Sequence, residues 1–202
     1  MMLLLMLIIK VLRKSIIALC LVAGGYLLAD GGWIYAKAQL AQQLIEQAWQ
    51  ETLETGKAIK PWPWADTWPV ARLVAKEHDV DLYILQGTHG SSLAFGPGYL
   101  IGSAEPGGNG STIVAGHRDT HFRFMKELQQ GDKLQLTGRS GEPHSYRVDT
   151  LSVVDSSKQE LFASSDQSQL LLVTCYPFNS INPGGPLRFV ISAVPEEPRR
   201  VM

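Results

Sequence analysis

The chain has 202 residues, a length that predicts one folded domain with appended segments rather than two domains. Its 18 Lys and Arg residues balance 19 Asp and Glu residues to a formal net charge of -1. The sequence has no basic excess, no run of basic residues in the domain and no zinc-finger spacing of Cys and His, so we expect no nucleic acid as a partner.

The chain begins with a long apolar segment. Three basic residues, Lys10, Arg13 and Lys14, precede an uncharged run over residues 15–28. With the apolar residues that follow, this run approaches the length of about 20 residues that crosses a bilayer. We predict an uncleaved signal anchor over residues 1–36, with its basic side in the cytoplasm by the positive-inside rule; a cleaved signal peptide is the alternative. Either one places the rest of the chain outside the cytoplasm.

Residues 37–69 are predicted to connect the anchor to the domain. Residues 36–55 are rich in Ala, Gln, Glu and Leu, with apolar side chains at helical spacing, which predicts a helix that ends near Gly56. Residues 57–69 contain three prolines and three tryptophans. Proline restricts its own backbone and that of the residue before it, so this part is predicted to be an extended linker.

Residues 70–202 are predicted to form a compact β domain. Short runs rich in β-forming residues alternate there with turns of Gly, Pro, Asn and Asp, while helical patterns are scarce, apart from one short helix predicted over residues 121–128. Such spacing predicts an all-β barrel or sandwich with short helices. The predicted strands cover residues 70–75, 82–85, 99–101, 112–115, 133–137, 145–154, 170–174 and 187–193.

The two cysteines cannot form a disulfide with one another, because Cys20 lies in the apolar segment and Cys175 in the exported domain. An unpaired cysteine is unusual in an oxidising compartment, so Cys175 is either a protected core residue or a working thiol. Cys175 ends an aliphatic run, and Pro177 soon after it stops the strand. A residue at a strand end combines access with a fixed position, as catalysis requires.

His117 and Arg188 occupy similar places. His117 follows the predicted strand at 112–115, and a nearby imidazole can accept the proton of a thiol. Arg188 lies 13 residues after Cys175, across a turn, at the start of the last predicted strand. A guanidinium stays protonated, so it can only donate, which suits an oxyanion formed when a thiolate attacks a carbonyl. Spacing alone leaves three competitors for this role: Arg118, Arg123 and Arg147.

Three motifs together resemble the sortase family: Leu-Val-Thr-Cys at 172–175, Ala-Gly-His at 115–117 and Leu-Arg-Phe-Val at 187–190. The match spans roughly residues 70–194, in the family's order His, Cys, Arg. The fuller runs AGHRDTHF (115–122) and TCYPF (174–178) resemble the sortases of Gram-negative bacteria, in which one sortase is typically paired with one dedicated substrate protein.

The resemblance implies an eight-stranded β-barrel and a transpeptidation. The cysteine of sortases attacks a backbone carbonyl within a Leu-Pro-x-Thr-Gly-like signal near the C-terminus of an exported protein, and an amine resolves the thioester to a new amide. By position, Cys175 is then the nucleophile, His117 the acid/base and Arg188 the oxyanion-side donor. Thr174, Tyr176 and Phe178 are implied to contact the substrate.

The resemblance also predicts a single-pass protein of the bacterial inner membrane, with its N-terminus in the cytoplasm and its catalytic domain in the periplasm. The expected partners are the substrate protein, an amine-bearing acceptor and the membrane. Some sortases hold calcium on acidic loops, but Glu105, Asp132 and Asp155 are too scattered to predict such a site. We expect neither a metal nor a cofactor.

Four other classes compete with this prediction. In papain-like hydrolases the cysteine opens a long helix and precedes the histidine, and neither feature is present here. L,D-transpeptidases carry their cysteine in a Ser/Thr-His-Gly-Cys context, whereas the pair His89-Gly90 has no cysteine nearby. A metal module of His117, His121 and Cys175 conflicts with the strand that ends before His117. A non-catalytic anchoring or scaffold domain is the fourth alternative, and a thiol-reactive substrate mimic separates it from an enzyme.

Overall fold

The computed structural model describes residues 2–158, 167–180 and 184–196. The chain divides into two compact units, Met1–Gln42 and Gln43–Met202. The first unit belongs to a single helix, α1 (Met2–Thr55), and large apolar side chains in this unit, including Leu21 and Leu28, are exposed. In the described residues, α1 is long and apolar enough to cross a bilayer, a property that signal sequences share.

The last turns of α1 pack within the second unit. Ile45, Ala48, Trp49 and Thr52 are all buried, and they recur at the spacing that places side chains on one face of a helix. The Trp49 ring lies 6.5 Å from that of Tyr83. The predicted helix over residues 36–55 is therefore present, and its end is a packed part of the domain.

Gly56 ends α1, as predicted. Its φ of 69° lies in the left-handed region, and its amide donates to the carbonyl of Thr52 at 2.9 Å, which is the usual way in which a glycine closes a helix. The following linker is bound to the domain. Trp62 packs edge-on against Phe95 at 5.0 Å, and the hydroxyl of Thr67 donates to the carbonyl of Gln86 at 2.8 Å.

Eight strands close into a barrel, as predicted, in the order β1-β2-β3-β4-β7-β8-β6-β5. The β2–β3 and β4–β7 pairs are parallel and the other pairs are antiparallel. The strands are β1 (Pro69–Ala75), β2 (Val80–Gln86), β3 (Gly98–Tyr99), β4 (Ser111–Gly116), β5 (Lys133–Gly138), β6 (Pro143–Asp155), β7 (Gln169–Cys175) and β8 (Leu187–Pro195).

Three details of the sequence prediction are wrong. The helix expected over residues 121–128 is a 3-10 turn, Arg123–Lys126, and a short helix that was not predicted, α2 (Gly90–Leu93), follows β2. The strand expected over residues 99–101 is shorter, because the amide of Ser103 donates to the carbonyl of Leu100 and turns the chain. Residues 182 and 183 of the predicted turn before β8 lie outside the described residues.

The barrel interior is filled by one side chain or more from every strand. Alternation along each strand then assigns the other residues to the outer face. On β7, Leu170 and Leu172 belong to the interior cluster, whereas Leu171 and Val173 belong to a second apolar cluster on the outside. The interior cluster includes Leu73, Ile84, Tyr99, Val114, Leu136, Val148, Leu172 and Ile191.

Candidate active site

Two parallel strands bring the histidine and cysteine motifs to the same rim of the barrel. Gly116, the last residue of β4, is in register with Thr174 of β7. The hydroxyl of Thr174 donates to the carbonyl of Gly116 at 2.7 Å, and both residues are buried. His117 and Cys175 each follow this joined pair, so the fold places them beside one another although 58 residues separate them in the chain (175 − 117).

The antiparallel neighbour β8 brings in the arginine. Cys175 is in register with Arg188, and directly opposed residues on antiparallel strands have Cβ atoms only about 5 Å apart on the same face of the sheet. Alternation puts Cys175 on the side of Val173, and Arg188 on the side of Val190, which are both outer-face residues. The thiol and the guanidinium therefore lie on the outside of the barrel wall, at its rim.

A tight turn holds His117 at the end of β4. The carbonyl of His117 accepts hydrogen bonds from the amides of Thr120, at 3.4 Å, and Phe122, at 3.0 Å. The Phe122 ring is fully buried beneath Gly116, where a Cβ atom would lie 2.7 Å from the ring. The glycine therefore lets the turn fold back onto the barrel, and the His117 side chain is left exposed.

Arg188 is oriented by its own loop. Its Nη1 donates to the carbonyls of Gly185, at 2.7 Å, and Leu187, at 2.9 Å, and the side chain is half-buried. Among the described residues, no acceptor lies at Nε or Nη2. This arrangement fixes one edge of the guanidinium and leaves donors that an oxyanion beside Cys175 can accept.

The structure separates Arg188 from two of its competitors. Arg147 on β6 is opposite Val194 on β8. Val194 is six residues after Arg188, which is about 20 Å along β8 at the usual rise per residue. Arg118 is 6% exposed and its Nη2 donates to the carbonyl of Ser180 at 2.8 Å. Arg118 therefore binds the loop after Cys175 rather than projecting toward the thiol.

Asp119, the carboxylate nearest to His117 in the sequence, is turned toward Arg118. Its Oδ1 lies 3.4 Å from the Nε of Arg118 and its side chain is 69% exposed. The three acidic residues that the sequence left without a metal site also have other neighbours. Glu105 pairs with Arg139, Asp132 with His78, and Asp155 with Ser157 and Lys158, each on a separate part of the surface.

Thr174, which is predicted to contact the substrate, has a buried hydroxyl that donates to the carbonyl of Gly116. Tyr176 and Phe178 are half-buried and form an aromatic trio with Phe189 of β8. The Tyr176 and Phe189 rings stack with centroids 6.2 Å apart, and Phe178 lies edge-on to Phe189 at 5.3 Å. Phe178 and Phe189 also pack against the interior cluster, so the trio closes the end of the barrel interior at the rim that carries Cys175.

His121 lies close enough to His117 for their charges to interact, although sequence analysis weighed it only as a metal ligand. Burial, and the charge of His117, lower the pKa of His121 below its usual 6.5. His121 lines a groove of about 500 Å³ together with the start of β2 and the 3-10 turn. In the sequence, the i, i+4 spacing of His117 and His121 is the signal that the two side chains are close. Here a turn, in which the amides of Thr120 and Phe122 donate to the carbonyl of His117, brings them close without a helix.

A closed eight-stranded barrel with a cysteine, a histidine and an arginine at one rim defines a class of cysteine transpeptidases. The chain matches the Sortase domain family over residues 73–196, which is more than half of its length. The chain therefore belongs to the sortase family, as the sequence motifs predicted.

Similar proteins agree with this assignment. Sortase D of Bacillus subtilis (strain 168) is 34% identical over 114 residues, which are 56% of this chain and 57% of that protein, so the match spans little more than half of the relative's length. The Clostridium perfringens Sortase D5 transpeptidase superposes with a TM-score of 0.63 at 21% identity, covering 79% of this chain and 99% of that one. Sortase A from Corynebacterium diphtheriae has a TM-score of 0.58 at 22% identity, with 80% and 86% covered. At these identities the structures show a shared fold.

Proposed function

We propose that the chain is a membrane-anchored sortase that cleaves a Leu-Pro-x-Thr-Gly-like signal of an exported protein and transfers the acyl part to an amine. The observation that carries this proposal is the pair of registers around Cys175: Arg188 lies opposite it on β8, and the Gly116–Thr174 pair sets His117 beside it on β4. Nucleophile, acid/base and oxyanion donor thereby meet at one rim.

The proposed reaction has two steps. The Cys175 sulfur, as thiolate, attacks the carbonyl carbon of the threonine in the signal while Arg188 donates to the developing oxyanion. The amide bond then breaks, the leaving nitrogen takes a proton from His117, and a thioester remains on Cys175. In the second step an amine attacks the thioester, His117 accepts its proton, and the thiolate leaves as a new amide forms.

The aromatic residues Tyr176 and Phe178 on the loop that follows Cys175 support binding of the apolar part of the signal. Phe178 packs inward against Phe189 and the interior cluster, so a bound leucine and proline would contact the half-buried ring edges at the rim while the next carbonyl reaches the sulfur. Large apolar side chains bury area that contributes about 1.5–3 kcal/mol each when fully enclosed.

We further propose that residues 1–36 are a single-pass anchor of the bacterial inner membrane, that residues 37–69 connect it to the domain, and that residues 70–202 are the catalytic domain in the periplasm. The exposed apolar side chains of α1 and the basic residues Lys10, Arg13 and Lys14 support this orientation. The runs at residues 115–122 and 174–178 support placement among the Gram-negative sortases with a single dedicated substrate.

The proposal is tested by trapping the acyl-enzyme. The full chain in detergent micelles is mixed with a peptide carrying a Leu-Pro-x-Thr-Gly-like signal, and intact-protein mass spectrometry follows the adduct. We expect the mass of the N-terminal peptide fragment on Cys175, its release by an added amine, no adduct in Cys175→Ala, and slowed acylation and resolution in His117→Ala. Transfer that survives in Cys175→Ala would overturn the assignment, and a scaffold domain would give no adduct with any peptide or vinyl sulfone.

A further inference from the structure

A pocket of about 310 Å³ lies between the turn after His117 and the loop after Cys175. Its lining includes Arg118, the residue that follows His117, and Phe178, three residues after Cys175. The hydrogen bond from Arg118 to the carbonyl of Ser180 joins the same two segments. The pocket therefore lies between the segments that directly follow His117 and Cys175, and we call it the basic pocket.

The charge of the basic pocket is positive. Its lining holds three cations, Arg118, Arg123 and Lys126, against one carboxylate, Asp119. Arg118 is 6% exposed and its Nε lies 3.4 Å from the Oδ1 of Asp119, so this pair offsets one cation, and Arg123 and Lys126 supply the net positive charge. Glu127 lies 3.5 Å from the Nζ of Lys126, but it lines the neighbouring groove rather than this pocket. An anion entering the pocket would meet more positive than negative charge.

The order of the strands indicates that the basic pocket lies on the side of the leaving and incoming amines. β7 carries Cys175 and lies between β4, which leads to His117, and β8, which carries Arg188. In the proposed reaction His117 protonates the leaving amine and later accepts a proton from the incoming amine, so both must pass on the β4 side. The basic pocket follows His117 directly and is on that side too.

We propose that the basic pocket binds a carboxylate carried by the leaving segment after the scissile bond or by the incoming amine acceptor. This inference rests on the proposed function and adds a charge preference to it. Arg118 supplies a buried cation at the base, Arg123 and Lys126 supply exposed cations at the edge, and the Phe178 ring supplies an apolar wall. Its volume of about 310 Å³ is at the lower end of the range for small-molecule sites, so a carboxylate-bearing side chain has room in it.

The experiment uses the full chain in detergent micelles and two pairs of matched compounds. One pair is a signal peptide with Asp or Asn after its Thr-Gly, and the readout is kcat/KM for acyl-enzyme formation. The other pair is an amine with a neighbouring carboxylate or the corresponding carboxamide, and the readout is the acceptor KM in transfer. Exposed ion pairs are individually weak, so we expect a preference of about three- to tenfold for the anionic member of one pair, decreasing at high salt.

Removing the two exposed cations, Arg123 and Lys126, tests whether the basic pocket causes the preference for the anionic compound. The double variant Arg123→Gln and Lys126→Gln should reduce the preference toward one. The control Lys133→Gln removes an exposed cation of β5 that lines a different pocket, with Pro143 and Glu196, and it should keep the parent's preference. The pair that shows the preference identifies the source of the carboxylate.

The experiment separates a failure of the basic-pocket proposal from a failure of the proposed function. Equal rates for both members of both pairs, or a preference that the double variant keeps, would overturn the basic pocket while an acyl-enzyme on Cys175 left the proposed function standing. No acyl-enzyme with any of the peptides would overturn the proposed function and this inference with it.

Discussion

Thr174 on β7 and Gly116 on β4 are joined by a buried hydrogen bond of 2.7 Å from the threonine hydroxyl to the glycine carbonyl. The next residue on each strand is a proposed reactant, Cys175 on one side and His117 on the other. This bond therefore acts as a fixed spacer between the nucleophile and its proton-transfer partner. Removing this hydrogen bond should therefore lower the reaction rate as well as the stability of the fold.

Replacing Thr174 tests the spacer. Thr174→Val keeps the shape but removes the donor, leaving a buried carbonyl without its side-chain partner, so we expect the free energy of unfolding to fall by about 1–3 kcal/mol. We also expect kcat/KM for acylation to fall about tenfold, because small displacements of reacting groups are costly. Thr174→Ser keeps the hydroxyl and should retain most of the activity. Equal activity in Val and Ser variants would show that the bond does not position the site.

Gly116→Ala tests the packing of the histidine turn. The new Cβ would lie 2.7 Å from the Phe122 ring, well inside normal contact, so either the ring or the turn must move. We expect a loss of about 1–3 kcal/mol in stability, typical of overpacking, and a reduced rate because His117 is displaced. Phe122→Leu makes room for the methyl group. In a double-mutant cycle, the double variant should therefore lose less than the sum of the two single losses, and strict additivity would contradict the contact.

Arg188→Lys should lower kcat/KM for acylation by about 10²-fold or more, the usual effect of losing an oxyanion donor. An ammonium is a point charge and cannot donate from a planar fork while its other edge is held by the loop carbonyls. The matched control is Arg147→Lys, since Arg147 pairs with Glu196 at the other end of β8. Parent-like turnover in Arg188→Lys would remove Arg188 from the proposed mechanism.

His121 predicts how stability changes with pH. Burial and the charge of His117 lower the pKa of His121 in the folded chain, so between that pKa and about 6.5 the unfolded chain binds more protons. The free energy of unfolding should thus fall as the pH drops below about 7, and the loss is complete below the folded-state pKa. The charged groups that share the groove with His121 are Asp79, Asp81, Arg123, Lys126 and Glu127.

His121→Gln removes that titration. Denaturation of the full chain in detergent micelles at pH 7.5 and 5.5 should show a smaller difference between the two values in the variant than in the parent. An unchanged difference would mean that His121 does not contribute to acid destabilisation.

The barrel was predictable because its strands are short aliphatic runs bounded by Gly, Pro and Asn. The run that ends in Cys175 shows how the candidate site was predicted as well. A strand buried on both faces needs continuous apolar residues, so the polar residue at its end is conspicuous. His117 follows a similar run, and Arg188 begins one. Each of the three residues stood out as a polar residue at the end of an apolar run, and the resemblance to the family's motifs assigned their roles.

The parts that sequence missed depend on contacts between distant segments. Nothing local predicts that Arg118 is buried against the carbonyl of Ser180, because that bond joins residues 62 positions apart. The helix expected over residues 121–128 failed since the amides of Thr120 and Phe122 turn back to the carbonyl of His117 instead. Trp49 gave a helical pattern, yet only the folded domain shows that the ring packs against Tyr83.

The parallel pairing of β4 and β7 has a further consequence for how such an enzyme can vary. Both strands run toward the same rim, so the chain between them, including β5 and β6, leaves this rim after Gly116 and enters β7 at the opposite end, beside Ser111. Lengthening or reshaping a loop within that stretch leaves the distance between imidazole and sulfur unchanged. New substrate preferences can therefore be acquired by insertion while the chemistry stays where it is.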